Sequence, residues 1–340
     1  MKKKVSLKDI AQKVGVSTAL VSYVLNNKNI GRIGKEVTEK IKDAAKELNY
    51  RTNQIARSLK TNRTFIIGLI VADISNTFWS SLARIIEDEA EKYNYTVIFG
   101  SSDENAEKSL KLTNILLNHQ VDGFILAPAE DSLSQLIFLQ ENEIPFVLID
   151  RYFPEIKANY VAIDNYKAAY TLVKHVIDKG YKRIGLITFK SSLFHFQERK
   201  RGYAAAIEEN NVTVMQTWIK EVGINSSKEA VEKAIDELTG LQEPVEVILF
   251  ASNYLSIYGL KYIVNLPLKV PDDLALISFD ESDAADLFYS PVTHIKQPLE
   301  QMGQLATKIL LEHIEKRLPI SEVNLEPEFI IRKSTSANKN

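Results

Sequence analysis

Apolar positions near the start of the chain recur at helical spacing. Leu7, Ile10, Ala11 and Val14 fall at i, i+3, i+4 and i+7, one face of a helix. Ser6 with Asp9 three residues on forms a capping-box pattern, and Gly15 supplies the left-handed residue that ends the helix. Ser17 caps a second helix with Val21, Val24 and Leu25 turned inward. Ala19, Tyr23 and Asn26 project the other way, with Thr18 at the tip. A third amphipathic stretch, 35–48, uses Val37, Ile41, Ala44, Ala45 and Leu48 to close a three-helix core.

From residue 65 the period changes. Continuous apolar runs of strand length appear at 65–71, 95–101, 123–128 and 145–150, separated by helical patterns near 77–94, 105–120 and 133–143. A second series follows at 183–188, 245–252 and 274–280, again with helices between. Such runs joined by crossover helices predict parallel sheets covered on both faces. Two series in tandem predict two doubly wound subdomains. The fold class expected is an all-α head on an α/β body.

Charge separates the same two regions. Residues 1–63 hold 15 Lys and Arg against 5 Asp and Glu, a net +10. The remainder holds 27 against 39, a net −12, and together these make the chain's −2. A basic head on an acidic body points to a polyanionic partner for the head. Two short helices around a glycine turn make a helix-turn-helix, whose second helix enters the major groove of double-stranded DNA. Thr18 and Ala19 are small enough to let that helix approach base edges, and the Tyr23 hydroxyl reaches a base or a phosphate. Ser6, Ser17, Ser22 and Asn26 complete the expected contacts of the head.

The stretch 49–64 follows, in which Asn53 caps about eight residues carrying Ile55, Ala56 and Leu59. A helix that short is marginal alone, where roughly 12–15 residues are needed. Leu59 beside Arg57 and Lys60 suits a wedge between base steps in the minor groove, with Asn53, Ala56 and Arg57 as neighbouring contacts.

In open α/β sheets, ligands bind beyond the carboxyl ends of the strands. Asp73, Ser101, Asp150, Arg151, Asn253 and Asp280 stand at such ends, and Phe78 and Trp79 add aromatic faces. Carboxylate, amide and guanidinium suit a polyhydroxylated ligand, since each hydroxyl both donates and accepts. Three of these carboxylates could imitate a glycosidase pair, but equilibrium binding accounts for them with fewer assumptions. The five histidines show no metal-ligand spacing, and His195 in "SLFHFQER" is expected on a surface loop near the cleft. No phosphate-binding loop or nucleophile elbow occurs, and there is no cysteine. The expectation is therefore no catalytic residue, no metal and no cofactor. No apolar run approaches the roughly 20 residues of a membrane helix, and the basic N-terminus lacks the apolar segment of a secretory signal. A soluble cytoplasmic protein with no membrane partner is expected.

"VSLKDIAQKVGVSTALVSYVLN", followed by "AAKELNYRTNQIARSLK", resembles the DNA-binding head and hinge helix of the lactose/galactose repressor family. "VADISNTFW", "VLIDRYF", "VAIDNYKAA", "ERKRGYAAAI" and "PDDLALISFDES" resemble motifs of its effector domain, which is similar to periplasmic sugar-binding proteins. The resemblance covers nearly the full chain. It implies base reading by Thr18, Ala19 and Tyr23, and intercalation by Leu59. It implies an effector cleft lined by Asp73, Phe78, Trp79, Asp150, Arg151, Asn165, Arg199, Asn253 and Asp280. The implied domains are a head at 1–50, a hinge at 51–64, one subdomain at 65–163 with 297–325, a second at 164–296 with 326–334, and a tail at 335–340.

The chain departs from the family pattern in four places. Tyr23 stands where arginine or histidine is usual, the loop 27–32 is about two residues longer, Gly34 replaces a common capping serine, and Tyr254 follows Asn253 where aspartate is common. The function implied is a ligand-responsive, operator-binding transcription regulator. It is read as a repressor of carbohydrate-utilisation genes with a sugar or sugar derivative as effector. A solute-binding protein and a purine- or nucleoside-sensing regulator are the alternatives. A single head contacts few phosphates, so a homodimer reading a near-palindrome is expected. No heptad run appears at the C-terminus to imply a tetramer.

Overall fold

The computed structural model describes residues 5–25, 33–50, 63–212, 215–224, 228–316 and 318–336. The chain divides into two compact units, Met1–Thr64 and Phe65–Asn340.

The head contains α1 (Leu7–Val14), α2 (Thr18–Leu25) and α3 (Lys35–Glu47). Its core is the apolar set predicted by spacing: Ile10, Ala11, Val21, Val24, Ile41, Ala44 and Ala45 are buried, with Leu25, Val37 and Leu48 packed partly against them. Gly15 takes φ +76°, and its amide donates to the Ala11 carbonyl at 2.9 Å to close α1. Ser6 holds the other end, its hydroxyl and amide both donating to Asp9 Oδ2 at 2.6 and 2.7 Å. An ion pair between Lys13 and Glu47, at 2.6 Å, ties α1 to α3.

The body is built on two six-stranded sheets of matching order. The first five strands are β1 (Ile66–Val71), β2 (Thr96–Ser101), β3 (Gly123–Leu126), β4 (Phe146–Ile149) and β5 (Asn159–Ile163). Between them run α4 (Thr77–Lys92), α5 (Ala106–Asn118) and α6 (Leu133–Glu141). After β5 the chain passes to the second sheet. There β6 (Ile184–Lys190), β7 (Ile219–Gly223), β8 (Val247–Phe250), β9 (Ala275–Phe279) and β10 (Thr293–Lys296) follow. Their helices are α7 (Asn165–Asp178), α8 (Phe194–Glu209), α9 (Lys228–Thr239), α10 (Asn253–Ile263) and the short α11 (Asp283–Leu287). A return through Gln297 leads to α12 (Leu299–Lys316), which packs on α4, and to β11 (Glu322–Leu325). The chain then crosses a third time, to β12 (Glu328–Ile330).

The sheets run β11-β5-β4-β3-β1-β2 and β12-β10-β9-β8-β6-β7, parallel throughout except for the antiparallel β12–β10 pair. In each, the direction of winding reverses between the first and third strands, β1/β3 and β6/β8. That reversal opens a crevice at the carboxyl ends of the strands.

Seven strands were expected, and the described residues form twelve. The five that the pattern did not predict are β5, β7, β10, β11 and β12. β7 and β11 lie at sheet edges and are largely exposed, so they carry Lys220, Glu221, Glu322 and Asn324 in place of an apolar run. β10 and β12 are only four and three residues long. β5 is buried but short, and its run "NYVAI" opens on asparagine.

Candidate functional site

On the head, Ser17, Thr18, Ala19 and Tyr23 are exposed along α2, while Ser22 is half-buried. Ser17 Oγ accepts the Leu20 amide at 3.2 Å and so caps the helix at its advancing tip. Because Val21 and Val24 anchor the opposite face, the exposed face is a thin ridge of small side chains ending in one phenol. Asn26, Asn53, Ala56, Arg57 and Leu59 lie outside the described residues, as does the loop 27–32.

In the body, a cavity of about 380 Å³ occupies the crevice between the two sheets. Its chemistry begins with two matched aspartates. Asp150 follows β4 and Asp280 follows β9, and each takes a left-handed conformation, φ +67° and +68°. Non-glycine residues adopt that region at a cost, and such strain concentrates at functional sites. The Gln297 side-chain amide, on the return segment between the subdomains, donates to Asp280 at 2.7 Å and reaches Asp150 at 3.5 Å. All three side chains are buried. Burial pushes the Asp150 carboxyl above the ordinary carboxylate range, with Asp280 adding to it and Arg151 and Arg199 opposing.

The guanidiniums are held from several sides. Arg199, on α8, donates from Nε to Asn165 Oδ1 at 2.8 Å and from Nη1 to the Ala251 carbonyl at 2.6 Å, and lies 4.0 Å over the Phe279 ring. Gly202, one turn on, permits this approach, since a Cβ there would stand 2.2 Å from the Tyr166 carbonyl. Arg151 forks onto Glu104 at 2.6 and 2.7 Å, pairs with Asp150 at 3.4 Å and covers Trp79 at 5.3 Å. Burial works against its charge, but Glu104 and Asp150 outweigh that and raise its pKa.

Aromatic rings form two of the walls. Phe78 meets Trp79 edge-on at 4.9 Å, and Phe189 packs on Phe196 at 5.3 Å with Tyr254 at 6.0 Å. Burial, then Tyr258, pushes the Tyr254 phenol up to about 12, so it remains a neutral hydroxyl.

Of the residues read from the sequence, Asp73, Phe78, Trp79, Asp150, Arg151, Arg199, Asn253 and Asp280 line the cavity together. Two do not. Ser101 accepts the Ile74 amide at 3.2 Å and donates to Asp103 at 2.6 Å, so it steadies the rim; Asp103 is the group that faces inward. Asn165 is spent on Arg199 and on the Ile163 carbonyl, which makes it an orienting residue. His195 also requires correction. It sits on α8, buried, not on a surface loop, and its Nδ1 has no hydrogen-bond partner among the described residues. Burial first, then Arg151 and Arg199, holds its pKa well below the ordinary histidine value.

Asn76, Asp103, Glu104, Tyr254 and Gln297 were not read as site residues, although they line the cavity. Asn76, Asp103 and Glu104 lie within five residues of strand ends, so widening the strand-end rule would have found them. Gln297 follows β10, whose mixed sequence carries no strand signal.

The comparison with known proteins agrees with this arrangement. A model of bacterial regulatory proteins of the lacI family matches residues 6–53, and a periplasmic binding protein-like domain matches residues 173–335. The chain is 31% identical to the probable HTH-type transcriptional regulator EndR of Paenibacillus polymyxa, over 92% of this chain and 91% of that one. It is 32% identical to catabolite control protein A of Priestia megaterium, over 97% and 99%. The chain belongs to the lacI family of bacterial regulatory proteins. Members of the lacI family are ligand-responsive, DNA-binding transcription regulators and not enzymes, and the head and cleft described above are the parts that such a regulator needs. The lac repressor dimer bound to operator and the anti-inducer ONPF shares the fold, with a TM-score of 0.85 at 21% identity, covering 98% of this chain and 100% of that one. Among the described residues, no helix of this lacI-family chain is long and apolar enough to cross a membrane.

Proposed function

We propose that this regulator is a cytoplasmic homodimeric repressor of carbohydrate-utilisation genes, and that its effector is a sugar or sugar derivative held in the cleft. Head residues 1–50 read two half-sites of a near-palindromic operator through Thr18, Ala19 and Tyr23. Ser6, Ser17, Ser22 and Asn26 contact the backbone around them. The segment 51–64 orders on DNA, with Asn53, Ala56 and Arg57 in contact and Leu59 as the wedge. The subdomains 65–163 with 297–325, and 164–296 with 326–334, close on the ligand. Their relative angle sets the spacing of the paired hinges.

The observation that carries the effector reading is the cavity itself. Asp73, Asp150, Asp280, Arg199 and Asn253 present acceptors and donors around one space, and two buried atoms, His195 Nδ1 and Gln297 Oε1, lack partners among the described residues. An unsatisfied buried polar atom costs about 1–3 kcal/mol, which a ligand hydroxyl would relieve. Ser101 and Asn165 act at one remove, by holding Asp103 and Arg199.

Thermal unfolding of the full chain against a panel of sugars, sugar derivatives and nucleosides tests this. A ligand at 100 times its Kd adds about 2.7 kcal/mol. A sugar that stabilises the native chain but neither Arg199→Ala nor Asp280→Ala supports the reading; a nucleoside that does so instead replaces it. For the head, Leu59→Ala should weaken operator binding far more than binding to random duplex. Equal losses would remove the wedge.

A further inference from the structure

The cavity holds more negative charge than its guanidiniums answer. Five carboxylates line it, Asp73, Asp103, Glu104, Asp150 and Asp280, against Arg151 and Arg199. Lys108 pairs with Asp103 from outside the lining, and still the balance is acidic. His195 supplies no third cation, because burial keeps it neutral.

Most of the nitrogens that could seize an anion are already engaged. Both terminal nitrogens of Arg151 donate to Glu104, and its Nε, which makes no hydrogen bond among the described residues, faces the Asp150 carboxylate at 3.4 Å. Two of the three guanidinium nitrogens of Arg199 are held by Asn165 and the Ala251 carbonyl. Helix N-termini bind phosphate through free first-turn amides. Here Asn76 Oδ1 takes the Phe78 amide at 3.0 Å, and Ser252 Oγ takes the Leu255 amide at 3.4 Å. A phosphate entering this space would meet five carboxylates and little that could donate to it. Repulsion between like charges is strong where water is excluded.

Resting on the reading that the cleft holds a sugar-like effector, we propose that it selects a polyhydroxylated ligand with no negative charge, neutral or amine-bearing, and rejects phosphorylated forms of the same molecule. The aromatic walls agree with this, because ring faces attract cations and stack on C–H surfaces but repel anions.

Isothermal titration of the full-length protein with matched sets tests it. Each set holds a hexose, its 2-amino-2-deoxy form, its 6-phosphate and its uncharged 6-O-acetyl ester, for glucose, galactose and mannose. The expected result is binding by the neutral or amino member of one set, with its 6-phosphate at least about 100-fold weaker and the ester within about tenfold. Glu104→Gln, which releases the Arg151 fork, should narrow the phosphate gap at least about tenfold. A 6-phosphate that binds as tightly as its parent overturns the charge selection and leaves the sugar-in-cleft reading standing. An ester rejected as strongly as the phosphate shows that bulk, not charge, decides, and overturns it too. No binding by any member overturns the sugar reading itself, and the selection with it.

Discussion

Asp150 shows how binding and stability compete at one side chain. Its pKa is raised by burial, so the folded chain binds its proton more tightly than the unfolded chain does. The destabilisation is therefore absent below the ordinary aspartate value near 3.8 and complete once the pH exceeds the folded value. Asp150→Asn should raise the melting temperature of the ligand-free protein at neutral pH by about 2–4 °C. Calorimetry checks this, and the same variant should lose effector binding.

His195 has the opposite sign. Held neutral by burial, it binds fewer protons folded than unfolded, so stability falls as the pH drops below the ordinary value of 6.5. His175, also lowered by burial, adds to the same trend. His195→Gln should make the melting temperature less steep between about pH 6.5 and 5; an unchanged slope would mean that His175 carries it. The strand-end rule found the aspartates because they sit where the backbone delivers them. It missed His195, whose place is set by how α8 packs and not by any local pattern.

Helices whose apolar stripe faces one neighbour were legible, because each side chain reports its own face. In the head, Ile41 is fully buried and Tyr23 is 44% exposed. Ile41→Ala should cost about 2–5 kcal/mol, enough to unfold so small a core. Tyr23→Ala should leave stability within about 0.5 kcal/mol. It should nonetheless weaken operator binding by about 1–3 kcal/mol, read by fluorescence anisotropy at fixed salt. A loss of head structure in Tyr23→Ala, seen by circular dichroism, would contradict the division of α2 into two faces. Strands were legible where the run itself is apolar, even at an edge: β2 was found although Ile98 and Phe99 are exposed. β1, β3, β4, β8 and β9 stood out as apolar runs, whereas β7 and β11 at sheet edges carry the polar residues that solvent and edge protection favour.

Across the cleft, the two subdomains are joined in part by polar contacts. Asn76 and Asn253 exchange reciprocal amide bonds at 2.9 and 3.1 Å. Glu130, after β3, accepts from the Ser192 amide and hydroxyl at 2.5 and 2.6 Å and from the Ser191 hydroxyl at 3.2 Å. Polar latches of this kind exchange readily with water, so the angle between the subdomains can respond to a ligand that bridges them. The Asn76→Ala, Glu130→Ala double variant should open the ligand-free cleft, seen as a larger radius of gyration in solution scattering. An unchanged radius would mean that Gln297 and the crossover strands alone hold the angle. None of these pairs could be read from the sequence, since their partners lie between 61 and 177 residues apart.

A regulator of this design must obey reciprocity: an effector that changes operator affinity by some factor has its own affinity changed by operator by the same factor. The most direct measurement is operator affinity of the full-length protein with and without the effector identified by thermal stabilisation, at one salt concentration, paired with effector affinity with and without operator. The account predicts two equal ratios of about 5–150-fold, both collapsing to one in Arg199→Ala. Operator affinity that does not change when the cleft is filled would contradict it.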